Sequence, residues 1–190
     1  MVLQFQTLQK LLQHDPESNV FSDIDDIFFE SSPRKNFISH DEKAKFKFKY
    51  LDWYKEIAPE LFLVARNPQL DVLGYICGIG STEKHSDLLA LHPWYSSVSP
   101  LCVQFPAHLH INVSSTRQGQ GIGSALLIEL ETILKEQNIS GVHVLTATRA
   151  RNVGFYTKNG YNFRKAFLWN DIELLFMGKE MVSEDKGNEK

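Results

Sequence analysis

Gln118-Gly119-Gln120-Gly121-Ile122-Gly123-Ser124 stands between a strand pattern and a helix pattern. Upstream, Ala107 to Val113 alternates. Leu109, Ile111 and Val113 point one way, and His108, His110 and Asn112 the other. Downstream, Ala125, Leu126, Ile128, Leu130 and Ile133 predict a helix from about Ile122 to Gln137. A strand that turns through glycines into a helix presents unpaired N–H groups and a partial positive charge, which suits a phosphate. Glycines let the backbone approach that phosphate closely.

Three phosphate motifs compete with a turn that holds no ligand. A Rossmann fingerprint needs glycine where Ser124 stands and an acid near the end of the next strand, and Gly141-Val142-His143-Val144 has none. A Walker loop needs a Gly-Lys-Ser/Thr run that the chain lacks. The third motif is Gln/Arg-x-x-Gly-x-Gly/Ala, which Gln118, Gly121 and Gly123 match in full. It is the pyrophosphate loop of GNAT acetyltransferases, and the chain resembles that superfamily. Phe155-Tyr156-Thr157-Lys158-Asn159-Gly160-Tyr161 extends the likeness, because it is similar to the family's Phe-Tyr-x-x-x-Gly-Phe signature on a short helix. The resemblance covers roughly Leu61 to Met181. It implies an α/β (α+β) fold with a mixed central sheet, helices on its flanks, and fourth and fifth strands that splay apart.

The same resemblance implies the chemistry. Acetyl-CoA would be the co-substrate and a primary amine the acceptor. Backbone N–H groups of Gly119, Gln120, Gly121, Ile122, Gly123 and Ser124 would cradle the pyrophosphate, with Gln118 opening the loop. Ile111 and Val113 would line the cofactor on the strand side, Val113 bonding the acetyl carbonyl. Tyr156 stands where the family's general acid stands; a reference pKa of ~10 keeps it protonated at neutral pH. His108 and His110, on one strand face, are candidate bases with a reference value of ~6.5. Two structural histidines on an apolar strand, or a water relay, are equally open.

Two residues depart from the family pattern. Ser115 stands where proline is usual. Arg149 stands where the family often has an asparagine toward the pantetheine arm. Asn152 is the candidate substitute, with a helix N-cap as its alternative role. Ala107-His108-Leu109-His110-Ile111-Asn112 and Gly141-Val142-His143-Val144 also resemble a subgroup related to the acetyltransferase-like domain of O-GlcNAcases.

The rest of the chain reads as one domain, 1–181, with a polar, disordered tail over 182–190. Leu8, Leu11 and Leu12 predict a short helix within Leu3–Gln13. Ser22 would cap a second helix whose apolar face is Ile24, Ile27 and Phe28. Ser39 to Glu56 reads as one helix. Leu61–Ala65 and Val72–Cys77 predict a hairpin, Thr82–Pro106 an irregular loop, and Tyr161–Trp169 with Ile172–Met177 a final strand pair turning at Asn170-Asp171.

Hydrophobic residues make up 43% and charged residues 23% of the chain, the balance of a soluble domain. The net charge of -3 argues against a nucleic-acid partner. No apolar run has the length of a membrane span, and no secretory leader pattern opens the chain, so a cytoplasmic or nuclear protein is expected. Cys77 and Cys102 have no metal-ligand spacing, and no metal site is expected. The acceptor stays open among small amines, amino sugars, peptides and histone tails, as do oligomeric state, a hydroxyl acceptor and a longer acyl group. A non-catalytic acetyl-CoA-binding module, a pseudo-acetyltransferase, is the alternative function.

Overall fold

Strand patterns become a seven-stranded sheet among residues 2–14 and 19–181, which the computed structural model describes. The strands are β1 (Gln4–Thr7), β2 (Phe62–Arg66), β3 (Val72–Ile79), β4 (Ala107–Val113), β5 (Gly141–Ala147), β6 (Phe163–Trp169) and β7 (Ile172–Glu180). Their order is β1-β2-β3-β4-β5-β7-β6. β1 and β2, β2 and β3, β5 and β7, and β6 and β7 pair antiparallel. β4 and β5 are parallel, with Ala107 opposite Val142 and His108 opposite His143. The helices are α1 (Leu8–His14), α2 (Val20–Ser31), α3 (His40–Lys47), α4 (Trp53–Ile57), α5 (Ser86–Leu91), α6 (Ser99–Gln104), α7 (Ile122–Glu136) and α8 (Asn152–Lys158). This is the mixed α/β architecture the sequence leads one to expect. The tail from Val182 lies outside the described residues.

The chain divides into two compact units. The first joins Met1–Ile79 to Leu109–Leu130. Its N-terminus corrects the sequence reading: Gln4–Thr7 is a strand on β2, and the helix starts only at Leu8. α2 buries Val20, Ile24, Ile27 and Phe28, the face the spacing predicts. Each such side chain contributes about 2 kcal/mol on leaving water. Its N-cap position is Asn19, so Ser22 lies inside the helix and caps nothing.

Ser39 does cap α3: its Oγ accepts from Glu42 N–H at 3.1 Å, and Glu42 Oε2 accepts from Ile38 N–H at 2.7 Å. The expected long helix is interrupted by a π-helical turn, Phe48–Asp52, before α4. Charge pairing spans that irregularity. Lys55 reaches Asp25 at 2.9 Å and Asp52 at 3.1 Å, and Lys47 pairs with the same two carboxylates. Simple apolar spacing does not report a bulge held by such long-range ion pairs.

The second unit joins Gly80–His108 to Glu131–Lys190. Thr82–Pro106 is not the irregular loop expected. It folds into α5 and α6, with 3-10 turns at Thr82–Lys84 and Pro93–Ser97. Pro93 and Pro100 sit in first turns, where a missing N–H costs nothing. The segment buries Leu88, Tyr95, Val98, Cys102 and Phe105. The Phe105 ring lies tilted against Phe163 at 4.9 Å and Phe176 at 5.9 Å. β6 and β7 close through Asn170 and Asp171 at φ 46 and 62, the left-handed pair of a tight hairpin.

Candidate active site

The Gly-rich turn belongs to the first unit, and β3 sets where it begins. Ser114 N–H donates to Leu73 O at 3.0 Å. A Cβ on Gly74 would meet Asn112 O at 2.8 Å and Val113 Cα at 3.1 Å, so only glycine lets β3 run this close to the end of β4. Asn112 Nδ2 donates to the buried Tyr75 hydroxyl at 2.8 Å. Ile111 and Val113, half-buried, complete the strand end. Ser115 has its own task in place of the family's proline. Its hydroxyl and N–H both donate to Glu30 at the end of α2, and these bonds hold the Glu30 carboxyl below the ordinary range. Nothing in the sequence signals that Glu30 reaches this turn.

Gln118 and Gln120 fold back on the turn, their Nε2 atoms 3.4 Å from Val113 O and Thr116 O. Gly119 and Gly121 take φ of 77 and 84, and nothing lies within 4 Å of a Cβ built on either. Bare left-handed backbone therefore opens directly into α7, whose first helical bond runs from Ala125 N–H to Gly121 O at 3.0 Å. Ile122, 1% exposed, anchors the helix start, with Leu126, Leu127 and Leu130 buried behind it. Gly123 and Ser124 are helical and half-buried. The N–H groups of this first turn have no intrahelical acceptor, and the uncovered glycines leave room for a phosphate.

The two candidate histidines have different surroundings. His110 lies in the first unit, half-buried, with the Tyr54 and Tyr50 rings edge-on at 5.2 and 5.8 Å. Burial pushes its pKa down to about 4. His108, 3% exposed, lies in the second unit. Its ring is 5.1 Å from His143 and 5.8 Å from Tyr95. His143 is fully buried and stacks on Phe176 at 4.6 Å. Its Nδ1 lies 2.6 Å from Phe105 O; a carbonyl only accepts, so Nδ1 carries the proton. Tyr95 then donates its hydroxyl to Nε2 at 3.2 Å. Sequence reading gave neither Tyr95 nor His143 a place beside His108, because both are distant from it in the chain.

Tyr156 and Asn152 belong to α8 of the second unit. Asn152 is not an N-cap. It is the first helical residue, and Arg151 in the cap position makes no side-chain cap bond. Asn152 Oδ1 instead accepts from Thr146 Oγ1 at 2.8 Å, tying α8 to β5. Arg149 is exposed in the preceding turn. Tyr156 is 5% exposed, with Phe155 and Tyr161 edge-on at 5.2 and 5.5 Å. Gly160 at φ 90 ends the signature and turns the chain toward β6. Both cysteines are buried and free, and burial raises Cys77 strongly and Cys102 to about 12. Among the described residues no cluster of His, Cys, Asp and Glu fits a metal ion, and no helix is long and apolar enough to cross a membrane.

Residues 58–163, more than half of the chain, match the sequence profile of the acetyltransferase (GNAT) domain. The chain belongs to the GNAT acetyltransferase family. Solved structures share its fold across almost their whole length. SsHAT superposes with a TM-score of 0.70 at 18% identity, over 96% of this chain and 100% of its own. A chain of the NatC complex bound to Gag peptide and CoA gives 0.63 at 12%, over 96% and 100%. The ribosomal-protein-S18-alanine N-acetyltransferase of Escherichia coli gives 0.55 at 15%, over 98% of both chains. No curated protein sequence matches significantly. GNAT domains use acetyl-CoA.

Proposed function

We propose that this GNAT domain transfers an acetyl group from acetyl-CoA to a primary amine. The observation that carries the reading is the pair of uncovered, left-handed glycines, Gly119 and Gly121, at the start of a 15-residue helix. Backbone N–H groups from Gly119 to Ser124 hold the pyrophosphate there, where the helix dipole adds to them. Val113 N–H serves the acetyl carbonyl, Ile111 packs beside the pantetheine arm, and Asn152 helps from α8. Residues 1–181 act as one functional domain in this reading.

Acetyl-CoA supplies the activated thioester. His110 accepts the proton that the amine loses as the C–N bond forms. Burial that lowers its pKa to about 4 keeps it neutral at pH 7 and weakly basic, so it takes the proton only as the C–N bond forms and the nitrogen becomes strongly acidic. His108, enclosed by Tyr95 and His143, is left a packing role. Tyr156 donates its hydroxyl proton to the sulfur as the C–S bond breaks. The narrower likeness to the acetyltransferase-like domain of O-GlcNAcases rests on Ala107–Asn112 and Gly141–Val144 alone. Neighbours that act on or bind protein segments make peptides the first acceptors to try.

The test is a screen of peptides, amines, polyamines and amino sugars for coenzyme A release, beside calorimetry of acetyl-CoA binding. Release with a defined acetylated amine supports the enzyme. Binding without release from any acceptor would identify the non-catalytic module, and absence of binding would sink the turn assignment as well.

A further inference from the structure

Glu131, on α7, carries a carboxylate into the interior of the second unit, where the residue is 5% exposed. A buried charge is stable only when it is paired and hydrogen-bonded. Lys179 Nζ on β7 reaches Oε2 at 2.6 Å, and the Tyr161 hydroxyl donates to Oε1 at 3.2 Å. Tyr161 is fully buried. It is joined to Tyr156 twice. Its N–H donates to Tyr156 O at 3.1 Å, and the two rings meet edge to face with centroids 5.5 Å apart. The ring that meets Tyr156 is therefore oriented by the bond its own hydroxyl makes to Glu131.

We infer that Glu131 is a positioning residue for acetyl transfer: it fixes Tyr156 through Tyr161 and, with Lys179, keeps the surroundings of the Tyr156 hydroxyl electrically balanced. The inference rests on the reading of Tyr156 as the acid. A carboxylate and an ammonium 2.6 Å apart cancel at the next residue, whereas either alone leaves a charge in a poorly screened interior. Among the other charged groups on these elements, Lys135 and Glu136 on α7, Lys158 on α8, Arg164 and Lys165 on β6, and Glu173 and Glu180 on β7 are exposed to water, and Glu129 on α7 is half-buried. On β5 the titratable group is His143, engaged by Phe105 O and Tyr95.

The test reads Tyr156 directly and needs no acceptor. The full chain is labelled with 13Cζ-tyrosine and titrated by NMR, the Tyr156 signal being the one that Tyr156→Phe removes. Glu131→Gln preserves shape and leaves the Lys179 charge unmatched, so Tyr156 should ionise about 1 pH unit lower than in the wild type. Lys179→Met leaves the carboxylate unmatched and should move ionisation upward, and the double variant should return it to the wild-type position. A folded Glu131→Gln protein whose Tyr156 does not ionise at lower pH would overturn the inference. Should Glu131→Gln fail to fold, Lys179→Met decides, and an unchanged or lower midpoint there overturns it. The acid role fails separately, through a Tyr156→Phe enzyme with wild-type kcat.

Discussion

The burial of His110, the proposed base, has a measurable consequence. Unfolded, its imidazole titrates near 6.5; packed against Tyr50 and Tyr54 it is held at about 4. A histidine buried in its neutral form favours folding fully only above the unfolded value. As pH falls from 6.5 toward 4 the unfolded chain takes up a proton that the folded chain refuses, so stability is lost across that window and levels off below it. At pH 4.5 about three quarters of the gap is expressed, which amounts to about 2.5 kcal/mol relative to pH 7.5. The six other histidines of the chain add their own pH dependence, so a difference is needed. His110→Gln removes this one titration and keeps hydrogen-bonding capacity. Urea unfolding of both proteins at pH 4.5, 5.5, 6.5 and 7.5 should show the wild type losing about 2.5 kcal/mol more than the variant between the extremes. Parallel stability curves would refute the burial argument. The catalytic counterpart is sharp: with an acceptor amine of low pKa, the acid limb of kcat/KM should lie near 4 and disappear in His110→Gln. A limb near 6.5 that responds to the variant would show that the ring is solvated.

Gly121→Glu should abolish acetyl-CoA binding in calorimetry while the circular dichroism spectrum stays native, because the side chain enters the open space and adds negative charge; the left-handed backbone costs about 1–2 kcal/mol of stability at most. Tyr156→Phe should lower kcat at least tenfold with acetyl-CoA affinity unchanged, the pattern of an interaction made in the transition state. Gly74→Ala should lower stability by about 1–3 kcal/mol in thermal unfolding, since its methyl meets backbone at 2.8 Å rather than a side chain that can rotate away.

Much of this protein is local, and local features are legible in order along the chain. Strict alternation bounded β4 to the residue, because period-2 spacing ends where Ser114 turns away from the ladder. The helix after the glycines and the hairpin at Asn170-Asp171 depend on neighbours within a few residues, so their signals survive without the fold. The glycine turn was legible for the same reason: left-handed φ at Gly119 and Gly121 is a property of residue type and adjacency. Local reading failed where distant contacts overrode it. Gln4–Thr7 became a strand because β2 offers it a ladder. The helix from Ser39 broke into a π turn held by charges twenty to thirty residues away. Thr82–Pro106, rich in proline and aromatics, folded into short helices and turns that bury Tyr95 and Phe105.

For function the division is the same. The sequence alone determined a glycine turn on a strand-turn-helix unit and a tyrosine in a Phe-Tyr-x-x-x-Gly run, because each is a run of adjacent residues. It left His108 and His110 equivalent, since two residues one alternation apart on a strand carry the same local signal. Only the tertiary structure distinguished them, closing His108 between Tyr95 and His143 and lowering His110 against Tyr50 and Tyr54. It alone brought Glu30 to Ser115, and Glu131 with Lys179 to Tyr161. Proton affinity and charge balance depend on which groups lie within a few ångströms and on how much water remains, and neither is written in the order of the residues.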